Sequence, residues 1–239
     1  MKSAQPTGIA VSLLFCALPA LAHDPFILDA RRATNGPRLE LVEAPAVSEN
    51  GAKSYRLRVA PGLPKGVLFG VFTKPFDHAF HEIAAGFQLD ASGSLASEES
   101  GKLEALTIGP GPYPAGAVWE AALVSADRSI RIFARAVPYP ITASSGTCTI
   151  SLELASHLGE RFIASGSGFP PGEEVATEQR YSGRSIRKRN RVSSDGLLTP
   201  ELLVHRDVGA DRGAHYTVRA RTCELSIDYD WGEPALMRR

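Results

Sequence analysis

The chain is 239 residues long, with 44% hydrophobic and 22% charged side chains and 26 basic groups against 26 acidic groups. A disordered chain has fewer apolar residues and a larger net charge, so this composition predicts a globular protein with a buried core. The 22 glycines and 17 prolines are too few for a collagen-like or mucin-like chain.

The first 22 residues have the features of a secretory signal peptide. Lys2 is the single cation of a polar start, an apolar run covers residues 9–21, and Ala20-Leu21-Ala22 forms a small-x-small cleavage pattern. We therefore predict that residues 1–22 are removed and that the mature chain begins at His23. No later apolar run is long enough to span a bilayer, so the sequence predicts a soluble protein exported to the periplasm or outside the cell. The excess of 20 arginines over 6 lysines is typical of a GC-rich bacterial gene.

After the signal peptide, short runs of β-forming residues alternate with turn residues at intervals of roughly ten residues, and no helical period is sustained. This pattern predicts an all-β fold. Turn residues such as Pro61-Gly62 and Ser92-Gly93 stand between the runs. In the first half, strands are predicted at residues 38–43, 54–59, 67–73, 82–90, 102–108, 118–125 and 130–136.

The segment 137–146 carries two prolines and then small polar residues, which is typical of a short, stiff connection between two cores. We place a domain boundary at Pro140, giving an N-terminal domain 23–140 and a C-terminal domain 141–239. Each half has about seven predicted strands and about 100 residues, the size of an immunoglobulin-like β-sandwich. The second series of strands is predicted at residues 147–154, 161–165, 174–181, 186–192, 201–205, 216–222 and 224–229.

Two cysteines, Cys148 and Cys223, remain after signal cleavage. An even pair in an exported protein predicts one disulfide, here between the first and last strands of the second half. Closing a loop of 75 residues stabilises the fold by about 4 kcal/mol in the chain-entropy model. The alternative is a pair of free thiols or a soft metal site.

Residues 162–175 contain a turn of the form Gly-x-Gly-Phe-x-Pro-Gly-Glu-x-Val, which begins at Gly166 and ends at Val175. This text resembles a turn of bacterial extracellular immunoglobulin-like modules, and the later Ser194-Asp195-Gly196, Cys223 and Trp231 fit the resemblance. The resemblance covers the second half and implies an architecture used for stalks, spacers, binding surfaces and enzyme appendages. It implies no catalytic residue.

A mature N-terminal His23 would offer both an amine and an imidazole to a metal ion. Copper oxygenases with a histidine brace resemble this start, and they add a histidine from farther along a β-sandwich. His78 or His81 could supply it here, because imidazole suits copper or zinc. The alternative is that His23 is only the residue that cleavage leaves, and that His78 and His81 lie on a surface loop.

The segment 184–191 holds five cations and no acid: Arg184, Arg187, Lys188, Arg189 and Arg191. Such a run could form a patch for an anionic glycan, a lipid head group or nucleic acid. The alternative, which the balanced overall charge favours, is an edge strand or hairpin whose charges prevent sheet-to-sheet aggregation.

The sequence contains no complete catalytic motif, and we favour a noncatalytic binding, adhesion or structural role with an unknown extracytoplasmic protein or glycan as partner. The balanced charge gives no reason to expect nucleic-acid binding. We expect no cofactor apart from the copper or zinc alternative.

Overall fold

The computed structural model describes residues 28, 33–45, 53–76, 78–206 and 211–237. Within these residues the chain forms seventeen β-strands, two short 3-10 helices and no α-helix, so the predicted all-β class is confirmed. The described part of the chain contains no helix long and apolar enough to cross a membrane.

The strands of the first half form two antiparallel sheets. The Tyr55 and Trp119 rings, one from each sheet, lie 5.3 Å apart, so the two sheets share an apolar core. The smaller sheet has the order β1-β2-β7, with β1 at Leu39–Glu43, β2 at Tyr55–Val59 and β7 at Thr107–Ile108. The larger has the order β6-β5-β4-β3-β8-β9, with β3 at Phe69–Lys74, β4 at His81–Leu89, β5 at Leu95–Ser97, β6 at Gly101–Lys102, β8 at Trp119–Ser125 and β9 at Arg131–Ala136.

The second half forms two further antiparallel sheets of four strands each. The β10 sheet has the order β10-β11-β12-β15, with strands Ile141–Ser145, Cys148–Leu154, Arg161–Ser167 and Leu198–Val204. The β14 sheet has the order β14-β13-β16-β17, with strands Arg184–Arg191, Glu174–Tyr181, Gly213–Arg219 and Glu224–Asp230. A 3-10 helix at Glu233–Leu236 follows the last strand.

Alternating side chains give the β14 sheet one apolar face and one polar face. In β17, buried Leu225, Ile227 and Tyr229 alternate with exposed polar residues. Successive side chains of a strand point to opposite faces, so this pattern buries one face against the β10 sheet and leaves the other polar. In β13 the same alternation places Val175 inside and Glu178 on the outer face.

The predicted disulfide is confirmed: Cys148 and Cys223 are bonded, with their Cα atoms 6.5 Å apart. Cys148 begins β11 and Cys223 immediately precedes β17, so the bond joins the β10 sheet to the β14 sheet. The prediction that Cys148 lies in the first strand of this half was wrong, because β10 precedes it.

The glycine-rich turn that carries the family resemblance leads from β12 to β13 at close backbone approach. Gly168 has φ +77°, and a Cβ atom there would lie 1.8 Å from the carbonyl oxygen of Thr147. Only glycine fits this position. Phe169 is buried beside it, and the buried carboxylate of Glu173 accepts a hydrogen bond from the backbone N–H of Arg221 at 2.6 Å. The turn therefore fastens the loop between β16 and β17, next to the disulfide.

The predicted connection 137–146 is shorter than expected, because β10 occupies Ile141–Ser145 and pairs with β11. Small polar residues such as Ser144 and Ser145 are compatible with an edge strand that is largely exposed. No described sheet mixes strands from before and after Pro140. Buried side chains nevertheless form one continuous cluster across this point, and Arg135 pairs with Glu153 at 2.6 Å. The division into two domains stays a prediction.

One further difference concerns residues 102–108, which were predicted as a single strand. The structure has β6, a 3-10 helix at Leu103–Ala105 and then β7. Because β6 pairs in the larger sheet and β7 in the smaller, the chain must change sheets between them, and buried Leu103 marks that crossing. The short strand β5 at Leu95–Ser97 was not predicted.

Candidate functional site

The predicted basic residues lie on β14, which pairs only with β13 among the described strands and is therefore an edge strand. This placement agrees with the edge-strand interpretation of the segment, since charges on an edge oppose pairing with another sheet. Whether the same cations also bind an anion is a separate question, which depends on the partners they already have.

Arg187, Lys188 and Arg189 are engaged in ion pairs within the chain, and Arg184 also has a partner. Arg187 Nε lies 3.1 Å from Glu178 Oε1, Lys188 Nζ lies 2.7 Å from Glu201 Oε1, and Arg189 Nη1 lies 3.1 Å from Glu174 Oε1. The Arg191 guanidinium has no hydrogen bond or ion pair within the described part of the chain. The five cations are therefore not equivalent, although the sequence presents them as one run.

Glu178 is the centre of a denser arrangement on the outer face of the β14 sheet. Its carboxylate accepts two hydrogen bonds from Arg180, from Nε at 2.8 Å and Nη2 at 3.0 Å, and one from the Ser185 hydroxyl at 2.8 Å. Arg187 Nε donates at 3.1 Å, and Arg219 Nη1 donates from the neighbouring strand at 3.4 Å. We call Arg180, Arg187 and Arg219 the arginine trio.

These contacts favour the charged form of Glu178. The hydrogen bonds from Arg180 and then from Ser185 hold the pKa of the Glu178 carboxyl well below its ordinary value, against the opposing effect of desolvation. The Glu178 side chain is only 4% exposed, whereas the side chain of Arg187 is 74% exposed. One covered carboxylate thus holds three guanidinium groups whose outer edges face solvent.

A row of polar side chains crosses the same face in register. Ser185, Arg180, His215 and Asp228 are successive partners on β14, β13, β16 and β17. His215 Nδ1 lies 2.6 Å from Asp228 Oδ1. The row places a hydroxyl, a guanidinium, an imidazole and a carboxylate along a line perpendicular to the strands, which is suited to hydrogen bonding with a ligand that lies across the sheet.

This row forms part of the wall of a groove of about 1390 Å³. The groove is lined by the β14 sheet on one side and by the segment that joins the two halves on the other. Its lining comprises residues 138–142, the hairpin residues 180–185, residues 226–230, parts of β16 and the C-terminal 3-10 helix, with Lys53 and Ala115 from the first half. A groove of this kind, with both charged and apolar walls, has the general character of a ligand site.

The interior between the two sheets holds a different polar group, the fully buried His205. Its Nδ1 lies 3.2 Å from the Glu160 carbonyl oxygen, and its Nε2 lies 3.0 Å from both Gln179 Nε2 and Tyr229 Oη. Since a carbonyl oxygen only accepts, Nδ1 carries the proton and Nε2 accepts. Burial lowers the pKa of His205, and its ring stacks on Trp231 at 5.3 Å. This imidazole is a neutral part of the core and does not reach the groove.

The predicted metal ligands are only partly within the described residues. His78 lies in a bend after β3, and His81 begins β4; both are exposed. His23 lies outside the described residues. Among the described residues, no group of three or more His, Cys, Asp or Glu side chains could hold a metal ion. The copper or zinc site of His23 with His78 or His81 stays a prediction.

Sequence reasoning missed Glu178, Arg180, Arg219 and His215. Alternation within each strand could have placed Glu178 and Arg180 on one face of β13. The pairing of β13 with β16, which brings Arg219 to Glu178, joins residues 41 positions apart and has no local signal.

A scan of protein-family models finds no match to this chain, and a search of curated proteins finds no similar sequence.

Proposed function

We propose that the chain is an exported, noncatalytic binding protein built from two tandem immunoglobulin-like β-sandwich domains, and that its ligand lies in the groove beside the β14 sheet. The groove carries this proposal, because it combines a concave shape with hydrogen-bonding and charged groups at fixed positions on rigid strands. The glycine-rich turn supports the immunoglobulin-like architecture through its resemblance to extracellular modules.

Export is supported by the Cys148–Cys223 disulfide, since such bonds persist in oxidising compartments. The measurement is the intact mass of the protein recovered from a bacterial host's periplasm without reduction. We expect a chain that begins at His23 and lacks two hydrogens at the cysteines. A full-length mass, or two free thiols, would contradict export in this form.

The binding function is tested by filling the groove. Thr142 is an exposed residue of β10 that lines the groove, and Ser144 lies two residues along the same face but outside the lining. Mature wild-type protein, Thr142→Trp and Ser144→Trp are compared on a panel of immobilised neutral and acidic glycans and peptides. We expect saturable binding to a panel member, weakened roughly tenfold by Thr142→Trp because the indole occupies ligand space, and unchanged in Ser144→Trp.

Two results would contradict the groove as the binding site. One is saturable binding that Thr142→Trp leaves unchanged. The other is the lack of saturable binding to any member of the panel by the folded wild-type protein.

A second candidate function is copper or zinc binding by His23 with His78 or His81, and one observation favours it. Leu28 is buried on the outer face of the six-stranded sheet in a cluster that includes Phe80, which lies between the two histidines in the sequence. Four residues separate His23 from Leu28, and the five steps between their Cα atoms span at most about 18 Å in an extended chain. Phe80 directly precedes His81, so the shared cluster places Leu28 near the segment that carries both histidines.

Isothermal titration of the mature, untagged protein with Cu(II) tests this candidate. We expect one equivalent to bind and the affinity to fall in the His78→Ala, His81→Ala double variant, while His157→Ala, an exposed histidine elsewhere, retains it. Equal affinity in all three proteins would remove the candidate.

A further inference from the structure

The arginine trio has spare hydrogen-bonding capacity. Each guanidinium has five N–H donors, whereas Arg180 uses two of them on Glu178 and Arg187 uses one. Arg219 divides its contacts between Glu178 and Glu224, with Nε donating to Glu224 at 2.7 Å. The three side chains are 50% to 74% exposed, so their unused donors face solvent.

The local charge is positive although the whole chain is neutral. Glu178 compensates one of the three guanidinium charges, and Glu224 contacts only Arg219 at the edge of the cluster. Arg191 adds a cation on the same face of β14 beyond the trio, whereas Arg189 is paired with Glu174. Guanidinium groups held in one orientation are the donors best suited to planar or tetrahedral oxyanions.

We propose that the arginine trio is the recognition site for the sulfate or carboxylate groups of an anionic glycan, with Glu178 holding the three guanidinium groups in the binding orientation. The inference deepens the proposed binding function and rests on it, because Arg180 and Ser185 belong both to the groove lining and to the contacts of Glu178. A ligand in the groove therefore extends its anionic groups onto the trio.

A glycan fits this arrangement better than a membrane surface does. Arg180, one member of the trio, lines a groove that residues 138–142 also line, and Arg187 and Arg219 contact the same Glu178 carboxylate as Arg180. A flexible saccharide chain can enter a groove, whereas a bilayer presents a broad surface that contacts protruding residues. The site also differs from the predicted linear patch, since two of its three cations, Arg180 and Arg219, lie outside β14.

The experiment measures binding of a heparin-derived dodecasaccharide to the mature protein by isothermal titration. The variant Arg187→Gln removes a member of the trio. The first control, Arg191→Gln, removes a cation of the same strand outside the trio. The second control, Arg135→Gln, removes an exposed arginine of β9, which pairs with Glu153. We expect Arg187→Gln to weaken binding roughly tenfold, because charge-assisted hydrogen bonds are lost. The other two variants should stay within roughly twofold, as expected for long-range screened charges.

Several outcomes overturn the inference. The first is the lack of dodecasaccharide binding by the wild type at low ionic strength. The second is an equal loss of affinity in Arg187→Gln and Arg191→Gln, which would assign the site to the linear patch. The third is tighter binding to phosphatidylglycerol vesicles than to the saccharide. The groove proposal fails separately: trio-dependent binding that Thr142→Trp leaves intact would support the trio and contradict the groove.

Discussion

An ionisable group is buried on each face of the β14 sheet, and the two faces favour opposite charge states: neutral on the inner face and charged on the outer face. Inside, His205 is surrounded by Phe162, Tyr181, Tyr229 and Trp231, with neutral hydrogen-bond partners. Outside, the Glu178 carboxylate is paired with three guanidinium groups and accepts a further hydrogen bond from Ser185.

The difference follows from what each surrounding can offer a charge. An aromatic interior supplies no counter-charge, so burial favours the neutral imidazole and lowers the pKa of His205. The outer face supplies three guanidinium groups, so Glu178 keeps its charge despite its low exposure. The first group stabilises the core through packing, whereas the second positions donors at a surface that remains available to a ligand.

The largest expected effect on stability comes from removing the disulfide that joins the two sheets of the second half. Replacing Cys148 and Cys223 together by serine removes the bond between them, and we expect the free energy of unfolding to fall by about 4 kcal/mol. Urea unfolding measures it, with reduced wild-type protein as the matched control. Equal stability of the oxidised, reduced and doubly substituted proteins would show that the bond does not constrain the unfolded chain.

Removing the interior group should have the next largest effect. His205→Ala leaves a cavity among the aromatic rings and deprives Gln179 and Tyr229 of a partner, so we expect a loss of about 3 kcal/mol. Exposed His157→Ala is the control, with an expected change below about 0.5 kcal/mol. A small effect of His205→Ala would mean that the cluster collapses around the gap or that water enters it.

Acidification should affect the two faces in different pH ranges. The pKa of His205 is lower in the folded state than in the unfolded state. The contribution of His205 to the free energy of unfolding is therefore complete above about pH 6.5, and it is lost as the pH falls from there towards the folded-state pKa. The contribution of Glu178 to the free energy of unfolding is complete above about pH 4.3 and is lost as the pH falls below that value. Denaturant unfolding of wild type and His205→Phe across this range tests the sequence of losses. The variant should lack the loss that begins near neutral pH; identical profiles would exclude His205 as its source.

The smallest of these effects is expected from the outer face. Glu178→Gln leaves the trio without its counter-charge, and we expect a decrease in the free energy of unfolding at neutral pH that is smaller than that of His205→Ala, because water can solvate the freed arginines. The decrease should vanish at a pH where Glu178 is protonated in the wild type. Glu174→Gln, on the same strand and face with one exposed ion pair, is the control and should be neutral. An equal decrease in both variants would show that Glu178 has no special position.

The sequence predicted the strands of the second half well because their signals are local. Residues 174–181 alternate between inward and outward side chains, and the strand was predicted with the bounds that the structure shows. The strand β10 was missed because it is an exposed edge with small polar residues, which lack the apolar alternation that marks a half-buried strand.

The basic segment shows where local reasoning stops. Its charges are evident in the sequence, and so is the possibility of an edge strand. The pairing of Arg187 with Glu178 within one hairpin involves residues nine positions apart, whereas that of Arg219 involves 41. The sequence could indicate a basic strand, but it could not assign the three cations that share one carboxylate.

The amino-acid sequence by itself determined the extended conformation of most strands, because that conformation depends on local backbone preferences. It also indicated the Cys148–Cys223 pair, because the predicted signal cleavage leaves these two cysteines as partners. Tertiary structure decided which polar groups meet: His205 with aromatic rings, Glu178 with arginines from three strands. These side-chain contacts depend on strand order and register. Both are set by the packing of whole sheet faces, which cannot be inferred from a short stretch of sequence.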